Sequence, residues 1–233
     1  SDVATYSYDH TGERVRKAGV GTTTYANKFY DTDGSILNKY IYAGDSLIAT
    51  IEDEGATTTT YHTHLDHLGG TNVTTDEEGS AEQTLDYYPY GSLRIDTGGT
   101  DLDQKNKFTG HELDEESNLT YAGARYYGQD IGRWISHDPA SLSVGSPRLK
   151  AITGMPLEQY LSDPQGMNSY SYVKNNPLRL VDPTGEYWLF AETRASWDIQ
   201  NNRKNIINAA ANYQEVSADI LAAAIYEERK GFY

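Results

Sequence analysis

Three Asp-Pro dipeptides, Asp138-Pro139, Asp163-Pro164 and Asp182-Pro183, carry the first side chains in this 233-residue chain that could do acid–base work. A carboxylate does such work when burial or a neighbouring charge shifts its pKa. Taken one at a time, these dipeptides read as turns, because Asp accepts hydrogen bonds from nearby backbone and Pro presets φ. His62, His64 and His67 form a second cluster. On a strand, His62 and His64 would share a face, but no third and fourth ligand accompanies them. They read as hydrogen-bonded or exposed strand residues, and no metal is expected. Asp114-Glu115-Glu116 lacks the ligand spacing and the glycine of a calcium loop, so it reads as a solvated turn. Glu227 and Glu228 close an Ala-rich run near the C-terminus. There is no Cys, which removes disulfides, thiolate catalysis and Cys-based zinc sites together.

The elements that must position these residues are mostly strands. Aromatic residues are twenty Tyr, four Phe and three Trp, and only 37% of the chain is apolar. Such a Tyr-, Thr- and Gly-rich chain favours short strands and turns over a helical bundle. Asp9-His10-Thr11-Gly12, Asp31-Thr32-Asp33-Gly34, Asp53-Glu54-Gly55 and Asp76-Glu77-Glu78-Gly79 are turn groups, each with Asp ahead of a Gly that tolerates positive φ. Alternating runs such as Leu47 to Ile51 and Thr57 to Tyr61 lie between them and predict a series of hairpins. The order Tyr–Asp turn–Gly–strand at Tyr6 to Val15 recurs at Phe29 to Ser35, and recurrence at a short period signals a repeat architecture. After Gly185 the pattern turns helical. One helix is predicted over 196–212 and a second from Ser217, its N-cap, to about Lys230.

Charge excludes more than it identifies. Nineteen Lys and Arg against 34 Asp and Glu leave a net charge of −15, which argues against a nucleic-acid partner. No apolar run is long enough for a membrane span. The chain opens mid-pattern, so the expectation is a piece of a longer protein, and its last 48 residues (233 − 185) are too few to close a helical core.

From Thr63 to Gly185 the chain resembles the core domain of the Rhs/YD-repeat family of bacterial polymorphic toxins. The resemblance rests on ordered blocks: His67-Leu68-Gly69-Gly70-Thr71, Tyr87-Tyr88-Pro89-Tyr90-Gly91, Phe108-Thr109-Gly110-His111-Glu112, Leu119 to Tyr127, Gly132 to Pro139, and Asn168 to Gly185. The N-terminal units extend the likeness over most of residues 1–185. It implies a mainly β fold in which YD-repeat hairpins form part of a spiralling β-shell with a C-terminal plug, followed by two α-helices. The division implied is 1–62 as YD-repeat strands, 63–185 as core and plug, and 186–233 as the start of a helical toxin module. The partners implied are the chain's own C-terminal toxin segment, an upstream shell and an immunity protein. Localisation is implied as secreted or delivered to a cell surface.

The family resembles an intramolecular aspartic protease that cuts itself just after its DPxG motif. By position, Asp138 and Asp182 carry over as the carboxylate pair, with Asp163 as a rival for the first and Arg133 in support. The scissile site falls at Gly185 and Glu186, where Glu186 replaces the family's Leu. Residues 140–160 read as an insertion. No cofactor is expected. A purely structural or adhesive YD-repeat segment is the alternative. Separately, Tyr213 to Glu228 resembles the first helix of lysozyme-like lytic transglycosylases, with Glu228 as general acid and Glu227 as its competitor.

Overall fold

Alternation and turn chemistry build the first half. The computed structural model describes residues 4–19, 21–98 and 102–190. Its first strands are β1 (Thr5–Tyr8), β2 (Arg14–Ala18), β3 (Thr22–Asn27), β4 (Tyr30–Thr32) and β5 (Leu37–Ala43). They continue as β6 (Ser46–Asp53), β7 (Thr58–Leu65), β8 (Thr71–Thr75), β9 (Ala81–Tyr87) and β10 (Leu93–Gly98). All ten make one antiparallel sheet in sequence order. The Asp turns set the register: Asp9 Oδ1 accepts from Thr11 N and Glu13 N at 2.8 and 3.0 Å, and Asp33 Oδ1 from Ser35 N and Ile36 N at 2.8 and 2.9 Å. These donors hold the Asp33 carboxyl down at about 2. The 62/63 boundary falls inside β7, and pairing continues without a break to β10.

The face that this sheet buries mixes polar groups with Tyr40, Tyr61 and Leu85. Thr23, Asp31, Asn38, Thr50, Thr63 and Gln83 are buried, while Ile41 and Ile48 stand exposed on the same strands. The segment from Leu102 to Lys107 supplies partners to Asp31, Thr50, Thr63 and Gln83. Gln104 N donates to Gln83 Oε1 at 2.9 Å, Thr71 Oγ1 donates to Asn106 O at 2.6 Å, and Lys105 Nζ lies 3.1 Å from Asp31. Lys107 Nζ reaches Asp96 at 3.5 Å. Asp31 on β4 and Asp96 on β10 lie six places apart in the strand order, about 29 Å in a flat sheet, so the sheet curls around the segment.

A second sheet follows: β11 (Glu112–Asp114), β12 (Leu119–Tyr121), β13 (Tyr126–Gly128) and β14 (Arg133–Trp134). Buried Arg14 of β2 ties it to the first. Its guanidinium lies 2.8 Å from Glu112, 2.6 Å from Asp114 and 4.4 Å from the centre of the Tyr121 ring. Asp114 is therefore completely buried in an ion pair, not solvated; the second sheet's fold onto β2 puts it there. The main core lies behind this sheet, where Leu68, Phe108, Tyr127, Trp134, Tyr172 and Val181 pack together. Three short helices, α1 (Pro139–Leu142), α2 (Pro147–Thr153) and α3 (Leu157–Leu161), occupy the stretch read as an insertion. A final hairpin pairs β15 (Leu180–Val181) with β16 (Leu189–Phe190), so pairing straddles the 185/186 boundary. The two helices expected after Gly185, with Glu227 and Glu228, lie outside the described residues. Mainly β is thus the fold class. Among the described residues no helix is long and apolar enough to cross a membrane.

Candidate functional site

Two turns interlock to make the site. Asp182-Pro183-Thr184-Gly185 links β15 to β16, and Ala122-Gly123-Ala124-Arg125 links β12 to β13. Ala122 N donates to Arg125 O at 3.0 Å, and Ala124 N donates across to Thr184 O at 3.0 Å. Gly185 sits at φ +70°, and a Cβ there would lie 2.6 Å from Ala122 O. Only glycine fits that approach.

The Arg125 side chain turns inward from its turn, with its guanidinium 4.1 Å from the centre of the Trp134 ring. Its Nε donates to Gly185 O at 2.5 Å, and one Nη to Asp182 Oδ2 at 3.1 Å. The other Nη donates to Ser169 O at 3.3 Å and lies 3.3 Å from Asp138 Oδ2. Asp138 enters as the N-cap of α1, where its Oδ1 accepts from Ala140 N at 2.6 Å. Pro139 is the first residue of that helix, where its missing N–H costs nothing. Asp182 Oδ1 accepts from Tyr187 N at 3.2 Å, and His111 Nε2 is 2.9 Å from Asp182 O. One guanidinium thus spans two carboxylates and two peptide carbonyls.

Two carboxylates against one cation leave the centre one charge too negative for both to ionise freely. Burial pushes Asp182 up to about 6; Arg125 pulls it back and the Asp138 charge adds to the rise. Burial raises Asp138 as well, against Arg125 and the N–H groups of Ala140 and Ser141. Asp182 is sealed in, while Asp138 keeps an edge toward solvent. Pro183, Thr184 and Glu186 border an open groove of about 1150 Å³ that runs back to Tyr8 and Arg14.

The remaining candidates are placed elsewhere. Asp163 pairs with Lys174 at 2.6 Å and accepts from Gly166 N at 3.2 Å. Arg133 lies exposed on β14, because strand alternation turns its neighbour Trp134 into the core. The cation at the centre is Arg125, which the sequence reading did not single out; an arginine closing an Ala-Gly-Ala turn was the available signal. Glu186 is partly exposed, 3.8 Å from Arg148. His62 and His64 point outward on β7, and His67 Nε2 lies 3.2 Å from Leu178 O. Among the described residues no group of acidic and histidine side chains could hold a metal ion.

No protein-family model matches the chain. It is 28% identical over 199 residues to the tRNA3(Ser)-specific nuclease WapA of Bacillus spizizenii, covering 80% of this chain and 8% of that protein. It is 34% identical over 131 residues to toxin subunit YenC2 of Yersinia entomophaga, covering 53% of this chain and 11% of that protein. A chain of the crystal structure of TcdB2-TccC3-Cdc42 shares the fold with a TM-score of 0.58 at 22% identity, over 78% of this chain and 9% of that one. The chain therefore spans about a tenth of the length of these relatives. By sequence it is related to toxins of the WapA and Yen type, and by fold to a Tc toxin component.

Proposed function

We propose that the chain is the C-terminal portion of an Rhs-type polymorphic toxin, in which a β-shell and plug enclose a toxin segment and cut it free between Gly185 and Glu186. The observation that supports self-cleavage is the Arg125 guanidinium, which touches Asp138, Asp182 and the Gly185 carbonyl at once. In this reading Asp138, the carboxylate with access to solvent, takes a proton from water. The hydroxide adds to the Gly185 carbonyl carbon, and Arg125 Nε carries the charge that develops on its oxygen. Protonated Asp182 supplies the proton that leaves with the Glu186 nitrogen as the C–N bond breaks. Water is thereby divided between a Gly185 carboxylate and a Glu186 amine.

The division implied is residues 1–62 and 63–185 as shell strands and plug, with 186–233 as the start of the toxin module. An upstream shell and an immunity protein are its partners, and the route is secretion or delivery to a target cell, as the toxin relatives suggest. The experiment is a gel of freshly expressed chain beside Asp182→Asn. A band shortened by the residues after Gly185 in the wild type and an intact Asp182→Asn chain are expected. Intact bands from both would end the protease reading and leave a structural YD-repeat plug, in which Arg125 is only the counter-ion of two buried acids. A lytic transglycosylase activity through Glu228 has no support among the described residues.

A further inference from the structure

The insertion between Asp138 and Asp163 does more than lengthen the loop. Its helices enclose a small apolar cluster of Ala140, Leu149 and Tyr160, with Ile152 and Leu157 at the edge, and the ring packed against it is Tyr187. The Tyr187 hydroxyl donates to Met155 Sδ at 3.3 Å, just after α2. The same residue's backbone N–H is bound by Asp182 Oδ1 at 3.2 Å. Ala140 in turn is the residue whose N–H Asp138 caps. Among the described residues after Gly185, Tyr187 is therefore the one whose main chain rests on one carboxylate while its side chain rests on the element that carries the other.

We infer that α1–α3 form a specificity pocket for an aromatic side chain two residues beyond the scissile carbonyl, and that Tyr187 in it sets which peptide bond lies against Arg125. The inference rests on the self-cleavage reading and assigns the pocket's occupant to this chain's own segment. The physical reason is register. The turn 182–185 fixes Gly185 O through Arg125, and among the described residues β16 pairs with β15 at Leu180–Phe190 and Val181–Leu189. A one-residue slip of a hairpin turns every side chain to the other face, so a side chain held in a pocket locks the register. The Tyr187 ring, partly buried against this cluster, and the Trp188 ring, stacked on it at 5.2 Å and packed on the main core, supply that lock.

The test is a time course of the full chain made by cell-free synthesis, with gel densitometry and the new N-terminus read by mass spectrometry. Wild type is expected to mature to a fragment beginning at Glu186. Tyr187→Ala is expected to mature at least about tenfold more slowly, with the new N-terminus spread over neighbouring residues, and Tyr187→Phe to recover most of the loss. Ile152→Ala opens the pocket without touching the hairpin and is expected to shift the cut in the same direction by less. Unchanged rate and unchanged N-terminus in both Tyr187→Ala and Ile152→Ala would overturn the pocket. An uncut wild type would overturn the self-cleavage reading itself, and is seen in the wild-type lane alone.

Discussion

The ten-stranded sheet and the plug differ in the balance of polar and apolar groups that they bury. The sheet's covered face carries Asp31, Asn38, Thr50, Thr63 and Gln83, and the segment 102–107 answers them with hydrogen bonds and lysines. Asp31 alone is held by Asn38 Nδ2 at 2.8 Å, the Tyr40 hydroxyl at 2.8 Å and Lys105. The plug instead closes on rings: Tyr127 and Tyr172 lie 4.3 Å apart, and Trp134 is 5.6 Å from Tyr172. Polar burial returns little net free energy but specifies partners, whereas apolar burial supplies stability without specifying which groups meet. Both apolar clusters lie in or against the plug, which also holds three consecutive residues, Val173, Lys174 and Asn175, at positive φ.

That contrast can be broken or sharpened by measurement. Phe108→Ala, which empties a buried ring between Tyr87 and Tyr172, is expected to cost about 3–5 kcal/mol in urea unfolding. Arg125→Met leaves two buried carboxylates without their cation and is expected to cost about 3–5 kcal/mol at pH 7, with part regained at pH 5. Asp182 gives a pH signature. Its folded pKa of about 6 lies above the ordinary value, so the protein loses stability as pH rises from about 4 through 6, by roughly 3 kcal/mol. Asp182→Asn is expected to flatten that slope, and identical slopes in the two proteins would contradict the burial argument. On the sheet, Tyr40→Phe removes one bond to a charged acceptor and is expected to cost about 1.5–3 kcal/mol. A loss as large as that of Phe108→Ala would erase the contrast between the two regions. Smallest is Thr74→Val. The buried Thr74 Oγ1 has no hydrogen-bond partner among the described residues, so unfolding should show a gain of up to about 1 kcal/mol.

How much was legible beforehand differs between the same two regions. The hairpins could be read because an Asp turn acts over four residues: Asp76 Oδ1 accepts from Ser80 N at 2.7 Å, and Gly79 sits at φ +84°. Which face would be buried could not. On β5, Ile41 reads as a core residue and Asn38 as a surface one, yet the structure buries Asn38 and exposes Ile41, because the segment 102–107 crosses the polar side. Asp114 misleads in the same way, since its partner Arg14 stands 100 residues away. At the site, the family resemblance singles out Asp138 and Asp182, whereas Asp-Pro context alone reads as turns and offers Asp163 equally; neither singles out Arg125. Arg133 was the arginine nearer to Asp138 in sequence, and the inward turn of Trp134 sends it to solvent.

The sequence by itself determined what local chemistry decides: strands from alternation, and turns from Asp and Gly. Tertiary structure decided which of these groups meet. Arg125 reaches Gly185 O across 60 residues and Asp182 across 57, and Tyr187 reaches Met155 across 32. No periodicity encodes such separations. They follow from two interlocked turns packed on an aromatic core, where burial raises both acids above the ordinary carboxylate range.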